Sequence, residues 1–396
     1  MHKIERLLQT LAPKGVEFRK LGEVINIFKG KQLNKELLLD YGEYPVMNGG
    51  IHASGYWNEY NTDYPKIIIS QGGASAGYVN YMTSKFWAGA HCYAIELNSE
   101  KLNYKFLYYF LKNSQTILMK SQFGAGIPAL NKADIETLTI PIPPLEIQQE
   151  IVKILDAFTE LNTELNTELN ARKKQYEYYQ NMLLDFNDIN SNHKDAKIKS
   201  YPKRLKTLLQ TLAPNGVEFR KLVEVCDFQK GKSITKKAVT FGKVPVISGG
   251  RQSAYYHNEA NRSGETIAIS SSGVYAGYVS YWDIPVFLAD SFSVSPKQKT
   301  LMPKYLFHYL TTQQDAIHAT KSTGGIPHVY SKDLQNFLIP IPPLEIQQEI
   351  VKILDQFSIL TTDLLAGIPA EIKARKKQYE YYREKLLTFK PLQNKE

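Results

Sequence analysis

The chain has 396 residues, 43% of them hydrophobic, so two to four domains fit and each half can bury its own core. A net charge of +9 favours a polyanionic partner such as nucleic acid. The only two cysteines, Cys92 and Cys226, lie in no CxxC pair and at unmatched places, which argues against a disulfide framework or zinc site and for a reducing cytoplasm. No apolar run approaches the roughly 18–20 residues of a membrane helix, and no signal-peptide-like region opens the chain.

Taken in chain order, the elements occur twice. A short helix, Ile4–Leu11, is stopped at Pro13, and a strand follows at Val16–Leu21. Leu7–Leu21 returns at Leu208–Leu222 with only Lys14 changed, to Asn215. A variable region comes next, with strand-like runs at Lys66–Ser70, Gly77–Met82 and Ala90–Leu97 and counterparts at Thr266–Ser270 and Gly277–Trp282. Glycine turns such as Asn48-Gly49-Gly50 and Ser248-Gly249-Gly250 separate these runs. Apolar periodicity predicts one helix over Asn103–Met119 and another over Pro303–Ile317.

Each variable region ends in a proline cluster (Pro141, Pro143, Pro144; Pro340, Pro342, Pro343) and leads into a long helix. Ile140–Asp156 recurs unchanged at Ile339–Asp355, and Ala171–Tyr179 recurs at Ala374–Tyr382. Ile147, Ile151, Ile154, Phe158, Leu161 and Leu165 form a coiled-coil seam with steps of four and three. Leu169 adds a second step of four, a stutter, before Tyr176, Tyr179, Leu183 and Phe186 resume. In the second copy Gly367 and Pro369 predict a kink or break near Ala366–Pro369. Two such seams in one chain bury each other, and the twofold repeat favours an antiparallel pair. The polar stretch Asn187–Ser200 is expected to link the copies.

Catalytic motifs are missing. Gly231-Lys232-Ser233 resembles the end of a phosphate loop, but its first glycine is replaced by Cys226. There is no HExxH, no GxSxG and no Asn/Asp-Pro-Pro-aromatic methyltransferase motif. The histidines do not align between copies: His52 matches Gln252, and His257 matches Trp57.

Two variable regions, each followed by a Pro-Ile-Pro-Pro-Leu-x-x-Gln helix start at Pro141–Ile151 and Pro340–Ile350, resemble the specificity subunit of type I restriction–modification systems over the whole chain. The resemblance implies an α+β fold: two variable target-recognition domains with pseudo-twofold symmetry, separated by two long helices in an antiparallel coiled coil. The domains would be residues 1–144 (first recognition domain), 145–190 (first spacer helix), 191–343 (linker and second recognition domain) and 344–392 (second spacer helix). It further implies a non-catalytic, cytoplasmic subunit that binds double-stranded DNA at a bipartite asymmetric site. Two methyltransferase subunits would dock on the helices, and motor-nuclease subunits would join them. S-adenosylmethionine, ATP and magnesium would belong to those partners, with no cofactor in this chain. The rival reading is a two-lobed coiled-coil scaffold with no DNA role, and steep salt dependence of DNA binding separates the two.

Base reading needs paired donors and acceptors, and backbone holding needs Lys, Arg and small polar groups. On that chemistry the first domain's candidates are Lys29, Lys31, Asn48, Gln71, Ser75, Lys120 and Gln122. The second domain's are Lys230, Lys232, Ser248, Arg251, Ser271, Ser272, Lys321 and Ser322. Tyr78 and Tyr278 hold equal places and are expected in the core. The repeated helix residues Glu146, Gln148, Gln149, Lys153 and Glu345, Gln347, Gln348, Lys352 are candidates for partner contact. The basic clusters Arg172–Lys174 and Arg375–Lys377 either face DNA or balance the helix dipole. Thr159–Asn170 is TELN three times over, and each tetrapeptide adds about 6 Å of helical rise and about 40° of net rotation. The copy number is therefore expected to set the gap between half-sites.

Overall fold

The computed structural model describes residues 2–124, 126–187, 200–297, 299–322, 325–362 and 367–392. Contacts divide the chain into two compact units, Met1–Asn166 with Glu371–Glu396, and Thr167–Ala370. Each unit therefore joins one variable region to the first part of its own long helix and the last part of the other copy's.

In the first unit α1 (His2–Leu11) precedes β1 (Glu17–Lys20), β2 (Ile25–Lys29), β3 (Tyr44–Met47), β4 (Tyr56–Trp57), β5 (Lys66–Ser70), β6 (Val79–Met82), β7 (Trp87–Ala88) and β8 (Cys92–Leu97). Then come α2 (Tyr104–Asn113), α3 (Gln115–Lys120), α4 (Lys132–Glu136), β9 (Thr139–Ile142) and α5 (Leu145–Leu184). An antiparallel sheet of order β2-β8-β5-β6 stands beside a smaller sheet, β4-β3-β7, and β1 pairs with β9. Strand β5 explains the layering. Ile67 and Ile69 enter the main core with Phe106, Leu107 and Ile147, whereas Ile68 points the other way, to Met47, Phe86 and Ala88. Side-chain alternation along a strand covered on both faces produces this unbroken apolar run.

The second unit repeats the plan. Its elements are α6 (Lys203–Leu212), β10 (Phe219–Lys221), α7 (Leu222–Val225), β11 (Cys226–Lys230), β12 (Val244–Ile247), β13 (Tyr255–His257), β14 (Thr266–Ser270), β15 (Val279–Trp282), β16 (Phe287–Leu288) and β17 (Ser291–Pro296). They continue as α8 (Pro303–Thr312), α9 (Gln314–Ala319), α10 (Ser331–Leu334), β18 (Leu338–Pro340), α11 (Leu344–Thr362) and α12 (Ile368–Leu387). The sheet orders, β11-β17-β14-β15 and β13-β12-β16, are those of the first unit.

The single helices expected over Asn103–Met119 and Pro303–Ile317 are each two. Ile117 N–H bonds to Ser114 O at 2.9 Å, a tight turn that re-aims the chain. It brings the Gln115 side-chain oxygen to the Val79 N–H at 3.0 Å, and Gln314 repeats the bond to Val279 at 3.2 Å. Of the long helices, α5 is continuous for 40 residues, about 60 Å. The second is divided: α11 ends at Thr362 and α12 begins at Ile368, with Pro369 in its first turn, where a missing N–H breaks no helical bond. Ala366 lies outside the described residues, as does most of the expected linker Asn187–Ser200.

Within each unit the two helical pieces pair antiparallel. In the first, the Phe158 and Tyr382 rings stack at 5.5 Å, while eight residues on, Lys390 O accepts from Val16 N beside the β1–β9 pair that opens α5. In the second, Tyr179 stacks on Phe357 at 5.1 Å, and Phe186 lies with Phe219, whose strand partner is Pro340 just before α11. The face of α5 toward the core of the first unit is Ile147, Ile151 and Leu155, all fully buried.

Candidate nucleic-acid interface

In the first unit three loops meet at one end of the sheets. The turn after β5 is tied to β8 by Gln71 N–H to His91 O (2.8 Å), and to the loop between α3 and α4 by Gly73 N–H to Pro128 O and Leu130 N–H to Gln71 O (both 2.8 Å). The turn after β3 approaches so closely that a Cβ on Gly49 would lie 3.0 Å from Gly72 O and 3.1 Å from His91 Cβ. Gly49 also has φ +80, so glycine is required there. Lys29 and Lys31 join the same edge, because Lys31 N–H bonds to Ala88 O at 2.8 Å and a Cβ on the next residue, Gly89, would lie 2.6 Å from the Asn48 side-chain oxygen.

The second unit builds the edge with the same backbone bonds and other side chains. Gly273 N–H reaches Pro327 O at 3.0 Å, Val329 N–H reaches Ser271 O at 2.9 Å, and Lys232 N–H reaches Leu288 O at 2.9 Å. Asn61 and Asn261 do identical work: each side chain brackets the backbone of β7 or β16, through Ala88 (2.7 and 3.0 Å) or Leu288 (2.7 and 2.9 Å).

The candidates thus come together, but not all face outward. Lys29, Lys31, Lys120, Lys230, Lys232 and Arg251 are exposed. Ser75, Ser248 and Ser271 are half-buried, and the buried Gln71 side-chain oxygen has no hydrogen-bond partner among the described residues. Other polar side chains are engaged in shaping the loops. The Asn48 oxygen accepts from His91 N (3.1 Å), Gln122 Nε2 donates to Ala76 O (2.6 Å), Ser322 Oγ accepts from His328 N (3.1 Å), and Ser272 Oγ donates to Asp290. Lys321 reaches Val274 O at 3.4 Å. Lys120 and Lys321 do not occupy matching places. Since Gln115 and Gln314 make the same bond, Lys321 matches Gln122, and Lys120 matches Ala319. Tyr78 and Tyr278 are half-buried under cations, with Lys112 Nζ 4.0 Å from the first ring and the Arg251 guanidinium 5.5 Å from the second.

Two residues of this edge escape a search for polar groups. Ile127 and Ile326, each between Gly and Pro in the loop after α3 or α9, are 79% and 65% exposed. An isoleucine so exposed at the same place in both copies was visible in the repeated Gly-Ile-Pro.

On the helices Glu146, Gln149, Lys153, Glu345, Gln348 and Lys352 are exposed. In the first unit Gln149, Lys153 and Glu160 line a shallow groove floored by Val152 and Ala157. Gln148 and Gln347 correct the expectation of partner contact, because both are wholly buried. Gln148 accepts from Asn103 N (2.7 Å) and donates to Lys101 O (2.8 Å) and Pro143 O (2.6 Å). Gln347 makes the same three bonds to Met302, Thr300 and Pro342. In the basic clusters Arg172 and Arg375 pair with Glu168 and Glu371 one turn back, both at 3.5 Å, and the flanking lysines are exposed.

Burial pushes the Cys92 and Cys226 thiols up to about 12, so neither is a thiolate nucleophile. Among the described residues no group of three or more His, Cys, Asp or Glu could hold a metal ion, and no helix is long and apolar enough to cross a membrane.

Two like units, each a variable sheet domain clasped by an antiparallel helix pair, define a duplicated recognition scaffold. The chain belongs to the type I restriction modification DNA specificity domain family, which matches residues 13–174 and 214–374. It is 34% identical over 406 aligned residues to a Haemophilus influenzae protein named as a type I restriction enzyme specificity subunit, covering 98% of both chains. It is 30% identical to a type I restriction enzyme specificity subunit of Escherichia coli, over 98% of this chain and 97% of that one. The S subunit structure of a type I restriction–modification system from M. genitalium shares the fold, with a TM-score of 0.67 at 24% identity over 94% of this chain and 96% of that one. A specificity subunit is the non-catalytic component of such a system.

Proposed function

We propose that each unit reads one half of a bipartite, asymmetric DNA site, and that the helices set the spacing and dock two methyltransferase subunits. One observation carries this reading: two edges closed by matching loop-to-loop backbone bonds, with the same exposed lysine pair, differ in the side chains between. A shared frame with Lys29 and Lys31, or Lys230 and Lys232, suits phosphates, which carry no sequence information. The differing side chains suit two different base sequences. Methylation of a base within a duplex needs that base extruded, so a subunit that grips DNA at two places complements separate methylating partners. S-adenosylmethionine belongs with those partners, and ATP and magnesium with the motor-nuclease subunits that join them. The exposed Glu146, Gln149 and Lys153, with Glu345, Gln348 and Lys352, are the docking candidates.

The test is duplex binding by the complex with methyltransferase across a salt series, followed by mapping of the methylated sites. Affinity falling steeply with salt and a split, non-palindromic motif are expected. Salt-insensitive binding or a continuous motif would remove the reading.

A further inference from the structure

The two recognition edges differ in one pair that is built as a unit. Where the first has Ile51 and Ser75, the second has Arg251 and Tyr275. The Arg251 guanidinium lies 5.0 Å from the Tyr275 ring centroid and 5.5 Å from that of Tyr278. Arg251 is exposed, and among the described residues it has no carboxylate or hydrogen-bond partner. Arg262, in the same unit, is the opposite case. Its donors go to Ser293 Oγ (2.9 Å), Asn261 O (2.7 Å), Gln229 O (3.0 Å) and Lys230 O (3.1 Å), so it holds the edge together. A guanidinium held over two aromatic rings, with its N–H fork unfilled, is pre-organised for a planar, bidentate acceptor.

Resting on the DNA-reading function proposed above, we infer that Arg251 is a specificity-determining residue of the second unit, with its fork directed at the O6/N7 edge of a guanine in the second half-site. Tyr275 and Tyr278 are its positioning residues. The first unit has the apolar Ile51 at this place, so its half-site is read differently there. A phosphate offers the same acceptor chemistry but no sequence information, and the experiment separates the two.

The complex of the full chain with its methyltransferase partner is first used to map the wild-type motif. Wild type, Arg251→Ala and Arg251→Lys are then assayed for methylation of duplexes carrying every single base-pair change in both half-sites. Wild type should prefer one G·C pair of the second half-site by about tenfold to a hundredfold. Both variants should lose that preference and keep the first half-site unaltered, because lysine retains the charge but not the fork. Tyr275→Ser, which restores the first unit's residue, should weaken the same preference. Uniform weakening on all duplexes, rescued by Arg251→Lys, would mark a phosphate contact and overturn the assignment. A bipartite motif unaltered by both Arg251 variants overturns this inference alone, whereas a continuous wild-type motif overturns the bipartite reading as well.

Discussion

The Gln148 side-chain oxygen accepts the backbone N–H of Asn103 at 2.7 Å, and this bond fixes where α5 leaves the first recognition domain. Asn103 in turn caps α2, accepting from Lys105 N (2.9 Å) and Phe106 N (3.0 Å). A buried amide thus satisfies the carbonyls of Lys101 and Pro143 and one N–H at the junction of two helices and a proline stop. The second unit reuses the amide through Gln347, although its helix α8 starts with Pro303 and has no side-chain cap. The glutamine is what the two junctions share.

Gln148→Ala should therefore destabilise the first unit by about 2–4 kcal/mol, because the buried Pro143 carbonyl and the partly buried Asn103 N–H and Lys101 carbonyl all lose their bond to the amide. Gln149→Ala, one position on and exposed, should leave the denaturation midpoint unaltered. Urea unfolding of the two variants checks the contrast, and equal midpoints would show that the junction does not depend on the amide.

Acid should loosen the second unit through Asp355. Burial raises its pKa, but the hydrogen bonds from His308 Nε2 (3.1 Å) and Lys304 Nζ (2.5 Å) outweigh that, and the net shift is downward. A carboxyl with a lowered folded pKa adds stability above its unfolded value and loses it as pH falls through the folded one. Relative to Asp355→Asn, the wild type should be more stable at pH 7. The difference should shrink as pH falls below the ordinary value of 3.8. Urea midpoints measured down to the lowest pH at which both chains stay folded test this, and a difference independent of pH would refute it.

The exposed lysine pairs make a separable prediction. If Lys29 and Lys31 neutralise phosphates, Lys29→Ala with Lys31→Ala should lower the slope of log affinity against log salt by up to about 2, at roughly 0.9 per phosphate contact. The methylated motif should stay the same. A changed motif with an unaltered slope would make these lysines base readers.

Periodicity and repetition made the architecture legible. The apolar centre of β5 (Ile67–Ile69), the glycine turns and the proline-stopped helices follow from local chemistry, and the structure places them where the pattern predicts. The edge was legible as a set of loops but less so residue by residue. Asn48 and Gln122 are good base readers by chemistry, yet backbone groups of the same domain take them first. Lys120 and Lys321 both precede serine, but the shared hydrogen bonds of Gln115 and Gln314 align Lys321 with Gln122, so the two lysines hold different places. Gln148 is polar and belongs to a repeated helix start, so its complete burial could come only from tertiary packing.

The TELN run offers the sharpest test of the spacing role. Helix α5 passes through Thr159–Asn170 without interruption, and the boundary between the two units falls inside the run, between Asn166 and Thr167. Its side chains bond back to the helix one turn earlier: Asn162 to Phe158 O (2.9 Å), Thr163 to Thr159 O (2.9 Å) and Asn166 to Asn162 O (2.6 Å). The run thus engages its own backbone, and losing one copy leaves the remaining helix chemically the same. Deleting Thr163–Asn166 removes about 6 Å of rise and about 40° of net rotation. Successive base pairs of B-DNA, with 10–10.5 to a turn, differ by about 35°, so the rotation matches the loss of one base pair. The methylated motif of the deletion variant should keep both half-sites and shorten the gap between them by one base pair. A gap of unaltered length, with methylation intact, would mean that the helix does not measure the distance.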